Sequence, residues 1–332
     1  MSKTHGKRQP GQRAAKAEDT PPQGDAAHTA RPGGPPPSSS EWARAMARES
    51  TLAPGAIPIP AVVAAVPGSV IAPSGRPFDL RSVDPDGDGG LDKEESKTAL
   101  SAEHERIKAA QEKLYAERRQ SLLVVFQAID TGGKDGTIRS VFEGVNPQGC
   151  RVWSFKVPSS EERDHDFLWR YHAKAPGRGM IGVFNRSHYE DVLVVRVKDI
   201  ETEAVWRPRY GLINAFEQML TLSGTTVLKF FLHISKEEQK ERLEARIADP
   251  EKHWKFDPAD LVERRSWDAY QSAFGDAIGL CSTPYAPWRV VPANRKWFRN
   301  LVVARTIADT LEAMDPRYPE AQPGIAKLKV ED

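Results

Sequence analysis

"LLVVFQAIDTGGKDGTIRSVFEGV", residues 122–145, joins a short apolar run to a glycine-rich turn and then to a segment able to begin a helix. Residues 122–126 carry no polar side chain, the pattern of a parallel strand covered on both faces. Glycines at 132, 133 and 136 let the following backbone turn its N–H groups toward an anion, the helix dipole adds partial positive charge, and Lys134 adds a full one. A phosphate site is the natural reading. The usual loop of this kind is G-x-x-x-x-G-K-[ST]. Aligned on Gly133 and Lys134, the chain has Ala128 where the first glycine belongs and Asp135 in place of the hydroxyl residue. A carboxylate beside bound phosphate is repulsive unless a cation lies between them, so Asp130 and Asp135 point to Mg²⁺. Two alternatives stay open: Asp130 as acceptor of a proton from an attacking group, and a structural turn in which Asp135 is only an N-terminal helix charge.

The same alternation extends on both sides of this unit. Upstream, "EHERIKAAQEKLYAERRQ" (103–120) repeats apolar residues at helical spacing, with Ile107, Ala110, Leu114 and Tyr115 as the stripe. Downstream, strands are expected at 151–155, 180–184, 226–234 and 288–291, and helices at 161–171, 210–222, 236–248 and 295–314. Strands alternating with helices imply an α/β fold: a three-layer sandwich, like that of P-loop kinases, around a central parallel five-stranded sheet. Ligands of such a sheet sit at the carboxyl ends of its strands.

The strand at 181–184 leads into "NRSHYEDV" (185–192), at the level of the loop. Arg186 is suited to chelate phosphate oxygens and to steady the charge that develops during phosphoryl transfer. Glu190 lies one helical turn from Arg186, whereas Asp191 points about 100° away, so Glu190 is the carboxylate expected to face a metal. An Arg186–Glu190 surface pair is the alternative. A third segment, 237–270, is dense in charge: Arg242 and Arg246 share a helical face, and Lys252 and Lys255 follow a break at Asp249-Pro250. It reads as a helical lid over about 236–272, closing on a polyanion, or otherwise as a solvated helix.

Taken together these segments resemble the polyphosphate kinase 2 family. Its loop has the form G-x-D-x-x-G-K-x-G, followed here at Asp130, Gly133, Lys134 and Gly136 and broken at Ala128. "GVNPQG", "DHDFLWR", "FNRSHYEDVLVVRV", "FLHISKEEQ", "WKF" and "APWRVVPANRKW" also look like family signatures, over roughly residues 78–314. The resemblance implies reversible Mg²⁺-dependent phosphoryl transfer between inorganic polyphosphate and nucleoside mono- and diphosphates, with "FNRSHYED" resembling the class III form. It implies catalytic roles for Asp130, Lys134, Arg186 and Glu190, with metal held by Asp130 and Glu190. Phosphate and nucleotide binding would fall to Thr131, Gly132, Gly133, Asp135, Gly136, Thr137, Arg139 and Asn185. Arg242, Arg246, Lys252 and Lys255 would track polyphosphate. Family members form homo-oligomers, so a dimer or tetramer is expected.

Composition narrows the alternatives. Among 332 residues, 47 basic and 46 acidic side chains nearly cancel, so no global field favours nucleic acid or an anionic membrane. Two cysteines are too few for a disulfide framework, and no export signal or convincing membrane anchor is read, which together place the protein in the cytoplasm. Residues 1–74, rich in Pro, Gly, Ala and Ser, read as a disordered tail, 75–318 as the phosphotransferase domain, and 319–332 as a C-terminal tail. "DPDGDGGLDKEE" (84–95) fits the calcium-loop pattern but lacks an entering helix. The rival functions are an ATP-dependent P-loop nucleotide or small-molecule kinase, against which the missing Ser/Thr after Lys134 counts, and a non-catalytic polyphosphate-binding protein.

Overall fold

All seven residues of the central strand Ser121–Gln127 are buried, and this decides its place in the middle of the sheet. The computed structural model describes residues 62–330. Its strands are β1 (Val70–Ile71), β2 (Ser121–Gln127), β3 (Cys150–Ser154), β4 (Ile181–Asn185), β5 (Thr225–His233) and β6 (Trp288–Pro292). The helices are α1 (Lys93–Glu117), α2 (Lys134–Val141), α3 (Ser160–Asp164), α4 (Trp169–His172), α5 (Glu190–Val197) and α6 (Glu203–Trp206). They continue as α7 (Arg209–Leu222), α8 (Lys236–Ala248), α9 (Ala259–Glu263), α10 (Trp267–Leu280) and α11 (Lys296–Ala313).

The sheet has six strands in the order β1-β6-β5-β2-β4-β3. Five of them run parallel, and β1 pairs antiparallel with β6 through Val70–Val290 and Ile71–Arg289. The expected all-parallel five-stranded sheet is therefore corrected to a mixed sheet of six. β1 is two residues long and sits between prolines, too short to show as a period. Residues 62–74, expected in the tail, belong to the fold: Val66 and Ala72 are buried, and the Arg289 guanidinium donates to the carbonyls of Val63 and Ala64. The rest of the expected tail, residues 1–61, lies outside the described residues.

Helix α1 starts ten residues earlier than its apolar stripe suggests, because Asp92 Oδ1 accepts from the Glu94 and Glu95 amides and caps it. Ile107, Ala110 and Leu114 pack inward, while Tyr115 is exposed. The capping Asp92 belongs to the calcium-like stretch, two of whose other acids are also in use: Asp84 and Asp88 accept turn amides, and Asp88 pairs with Arg295. The single helix expected at 161–171 is two, α3 and α4, because Asp166 closes a turn between them on the Leu168 amide. Helices α1, α2 and α11 pack together, as do α5, α6, α7 and α10, giving layers about the sheet. Both cysteines are free, and among the described residues no helix is long and apolar enough to cross a membrane. Residues 319–330 are exposed, with one 3-10 turn at Ile325–Lys327.

Candidate active site

The β2–α2 loop explains its own departures from the usual pattern. A Cβ on Gly132 would stand 2.4 Å from the Ala128 methyl, so the side chain at 128 fits only because 132 has none. Thr131 and Gly133 both take positive φ, 63° and 96°. These two turns aim the start of α2 at the strand ends, and no side chain caps its first amides. Lys134 folds back beneath the loop to donate to the Ala128 carbonyl at 3.0 Å. Burial pushes its ammonium pKa down, and Arg186 acts in the same direction, against Asp130, Glu190 and Asp135. Thr137 is turned away from the expected phosphate, its hydroxyl donating to the Gly133 carbonyl inside the helix. Arg139 is exposed one turn further along α2.

The end of β4 meets this loop from the side. Asn185 donates to Asp135 Oδ1 at 2.6 Å, which gives the residue standing in the hydroxyl position a partner of its own. Arg186, at φ 61°, donates its amide to the Phe126 carbonyl and its Nη2 to Asp130 Oδ1 at 3.2 Å. Burial works against the Arg186 charge, but Glu190 first and then Asp130 outweigh it and hold the guanidinium above its ordinary pKa. Arg186 is ion-paired with Asp130 and not with Glu190, so the surface-pair alternative does not describe it. Asp191 has turned the other way, accepting from Tyr171 Oη at 2.9 Å, as the helical spacing implies.

Asp130, in the loop after β2, and Glu190, at the start of α5 beyond β4, thus act on the same two cations. The Glu190 carboxylate has no hydrogen bond or ion pair among the described residues, and Asp130 has only the Arg186 contact. Two under-used hard oxygen donors beside the β2–α2 loop fit a Mg²⁺ ion, which takes carboxylate and phosphate oxygens together. Ser187, His188 and Tyr189, between Arg186 and Glu190, are fully buried and anchored to Gln127 and Glu217. Burial holds His188 below its usual pKa and away from any substrate, so it stands behind the site as support.

The lid side differs from expectation. Arg242 does not face outward along a chain: it donates to the carbonyls of Thr131 at 2.9 Å and Ala293 at 2.7 Å and pairs with Glu238, pinning the loop. Arg246 is 4.0 Å from Asp260, and Lys252 pairs with Asp249 in the turn that follows α8. Lys255 ends the 3-10 helix there, and its side chain lies outside the described set. Gln239 donates to the Asp130 carbonyl and accepts from Arg264, tying α8 to the loop on one side and to the segment after α9 on the other. Tyr270 on α10 feels Asp130 and Glu190 and donates to Glu263.

Sequence reasoning missed one loop neighbour altogether. Arg299 of α11 is 3% exposed, and its guanidinium abuts the Gly133 and Gly136 backbone. Arg299 falls on the same helical face as Val302, Val303 and Thr306, all buried, and that alignment was the available signal.

The model of the family described as polyphosphate kinase 2 matches residues 90–319. An "AMP/ADP-polyphosphate phosphotransferase" of Meiothermus ruber is 50% identical over 263 residues, 79% of this chain and 98% of that one. An "ADP-polyphosphate phosphotransferase" of Rhodopseudomonas palustris is 47% identical over 247 residues, 71% of this chain and 86% of that one. Among solved structures, polyphosphate kinase 2 from Arthrobacter aurescens TC1 superposes with a TM-score of 0.74 at 43% identity, covering 80% of this chain and 97% of that one. With the β2–α2 loop, the β4 end and α8 all inside the matched region, the chain belongs to the polyphosphate kinase 2 family.

Proposed function

We propose that the protein transfers phosphoryl groups between inorganic polyphosphate and nucleoside mono- and diphosphates, with Mg²⁺ held by Asp130 and Glu190. Family membership and the names of the relatives support the reaction class. The observation that carries the residue roles is the convergence of Lys134 and Arg186 with two carboxylates that the protein leaves under-used. Phosphoryl transfer asks little covalent chemistry of a protein, so positioning and charge stabilisation account for most of the catalysis.

The amides at the start of α2, with Lys134, hold the nucleotide's phosphates. Arg186 lies across the loop from them and stabilises the negative charge spread over the moving group. Bound Mg²⁺ would supply neutralisation of phosphate charge, which the carboxylates otherwise repel. Asp130 orients the attacking phosphate oxygen, which is already ionised near neutral pH and needs no strong base. The lid, tied to the loop through Gln239 and Arg264, excludes water from the transferring group.

The test is transfer from polyphosphate to ADP by wild type, Asp130→Asn and Glu190→Gln across a Mg²⁺ titration. Each variant should need more Mg²⁺ and lose roughly 100-fold or more at saturation. Native Mg²⁺ dependence in both would refute the metal assignment.

A further inference from the structure

Arg299 is a buried cation that the fold satisfies only in part. No carboxylate pairs with it among the described residues, and its Nε and Nη2 both donate to a single oxygen, Asn300 Oδ1, at 3.0 and 2.8 Å. Nη1 has no hydrogen-bond partner among them. That atom lies 2.2 Å from where a Cβ on Gly133 would be, so it touches the backbone at the start of α2. Arg242 Nη1 is 3.3 Å from the same point, which sets two guanidiniums side by side with Glu238 as the nearby acid. Burial and then Arg242 push Arg299 down to about 10.

Other unsatisfied groups lie at the same turn. The Thr131 hydroxyl is buried without a partner, and the first amides of α2 are uncapped. Buried polar groups and charges are strongly unfavourable unless something meets them, and phosphate groups bound on the two sides of this turn would meet these between them. The distribution of charge says which anion. Asp130, Glu190 and Asp260 stand toward β4 and the lid and would repel a long polyanion. Toward α11 stand two exposed cations: Arg139, one turn beyond Gly136, and Lys296, one turn before Arg299. Both are exposed, and neither has an ion pair among the described residues.

We propose that Arg299 is a phosphate ligand on the donor side of the site. It takes the phosphoryl group next to the one at the loop, and linear polyphosphate runs out over the seam between α2 and α11, past Arg139 and Lys296. This assignment rests on the phosphotransferase reading above and replaces α8 as the track of the chain.

Calorimetric titration of the nucleotide-free protein in Mg²⁺, with tripolyphosphate, long-chain polyphosphate and ADP in turn, tests it without turnover. Arg299→Met should bind both polyphosphates at least about tenfold more weakly and ADP unchanged, with Arg299→Lys recovering part of the loss. Lys296→Gln, an exposed change that threatens no packing, should weaken long-chain binding alone. Unchanged polyphosphate affinity in Arg299→Met and Lys296→Gln, or a loss confined to ADP, would overturn the proposal. Wild-type protein that binds polyphosphate but transfers nothing would instead remove the transferase reading and leave Arg299 as a polyphosphate ligand.

Discussion

Lys229 and Arg299 are both buried cations, and the contrast between them separates what the fold needs from what a substrate needs. Lys229 spends all three protons inside the protein: Glu217 at 2.6 Å, the Cys281 carbonyl at 2.6 Å and Tyr189 Oη at 2.9 Å. Glu217 in turn accepts from Tyr189 and contacts His188, all four side chains being fully buried. Burial pushes the Glu217 carboxyl up, but Lys229 and His188 outweigh it and keep it ionised. Arg299 has one neutral acceptor and a neighbouring like charge. A cation whose donors are all taken is a structural part, whereas one left with a donor at the β2–α2 loop is the one we assign to a ligand.

The comparison is sharpest at Lys134, which lies between the extremes with one carbonyl acceptor and three nearby carboxylates. Lys134→Ala should lower transfer roughly 1,000-fold while the melting temperature stays near that of the native protein. Near-native turnover would remove the loop from the chemistry. Next in size, Lys229→Met leaves Glu217 charged and unpaired in the core and should cost about 3–5 kcal/mol in urea denaturation. Arg299→Met, which deletes an uncompensated charge, should change stability by less than about 1 kcal/mol. Equal losses in the two variants would erase the distinction drawn between the cations.

The smallest effect belongs to Asp191, the carboxylate that faces away from the metal candidates. Burial raises it from 3.8 to about 6, against the Tyr171 hydrogen bond and the Arg209 and Arg170 charges. A carboxyl with a raised native pKa holds its proton more tightly when folded. Its contribution is therefore present below 3.8 and is lost as pH rises toward about 6. Asp191→Asn should flatten this fall in stability, by on the order of 1 kcal/mol, when melts near pH 4 and pH 6.5 are compared. An unchanged slope would mean that Asp191 titrates normally.

Much of the fold could be read before any coordinates because it depends on local pattern. The run at 122–126 and the helix cadence at 236–248 reappear as β2 and α8. What escaped depends on tertiary partners. β1 exists because β6 offers an edge to two residues. The helix expected at 161–171 divides because Asp166 prefers the Leu168 amide, a local competition that apolar spacing does not record. At the site, Asn185 and Arg186 at the end of β4 and Glu190 one helical turn beyond were legible because a parallel sheet brings strand ends together. Arg242 was legible as basic but not in its task, since the carbonyls it pins come from residues 131 and 293. Arg299 looked like any arginine on an amphipathic helix. Only the approach of α11 to α2 shows that it is buried against glycines.

The most direct measurement is a transfer assay with Mg²⁺ and long-chain polyphosphate, offering AMP, ADP, GMP and GDP separately and following products by chromatography. The expected result is ATP from ADP and both ADP and ATP from AMP, with no product when polyphosphate is omitted. Failure of every acceptor to gain a phosphoryl group from polyphosphate, together with transfer from ATP to some other acceptor, would contradict the account.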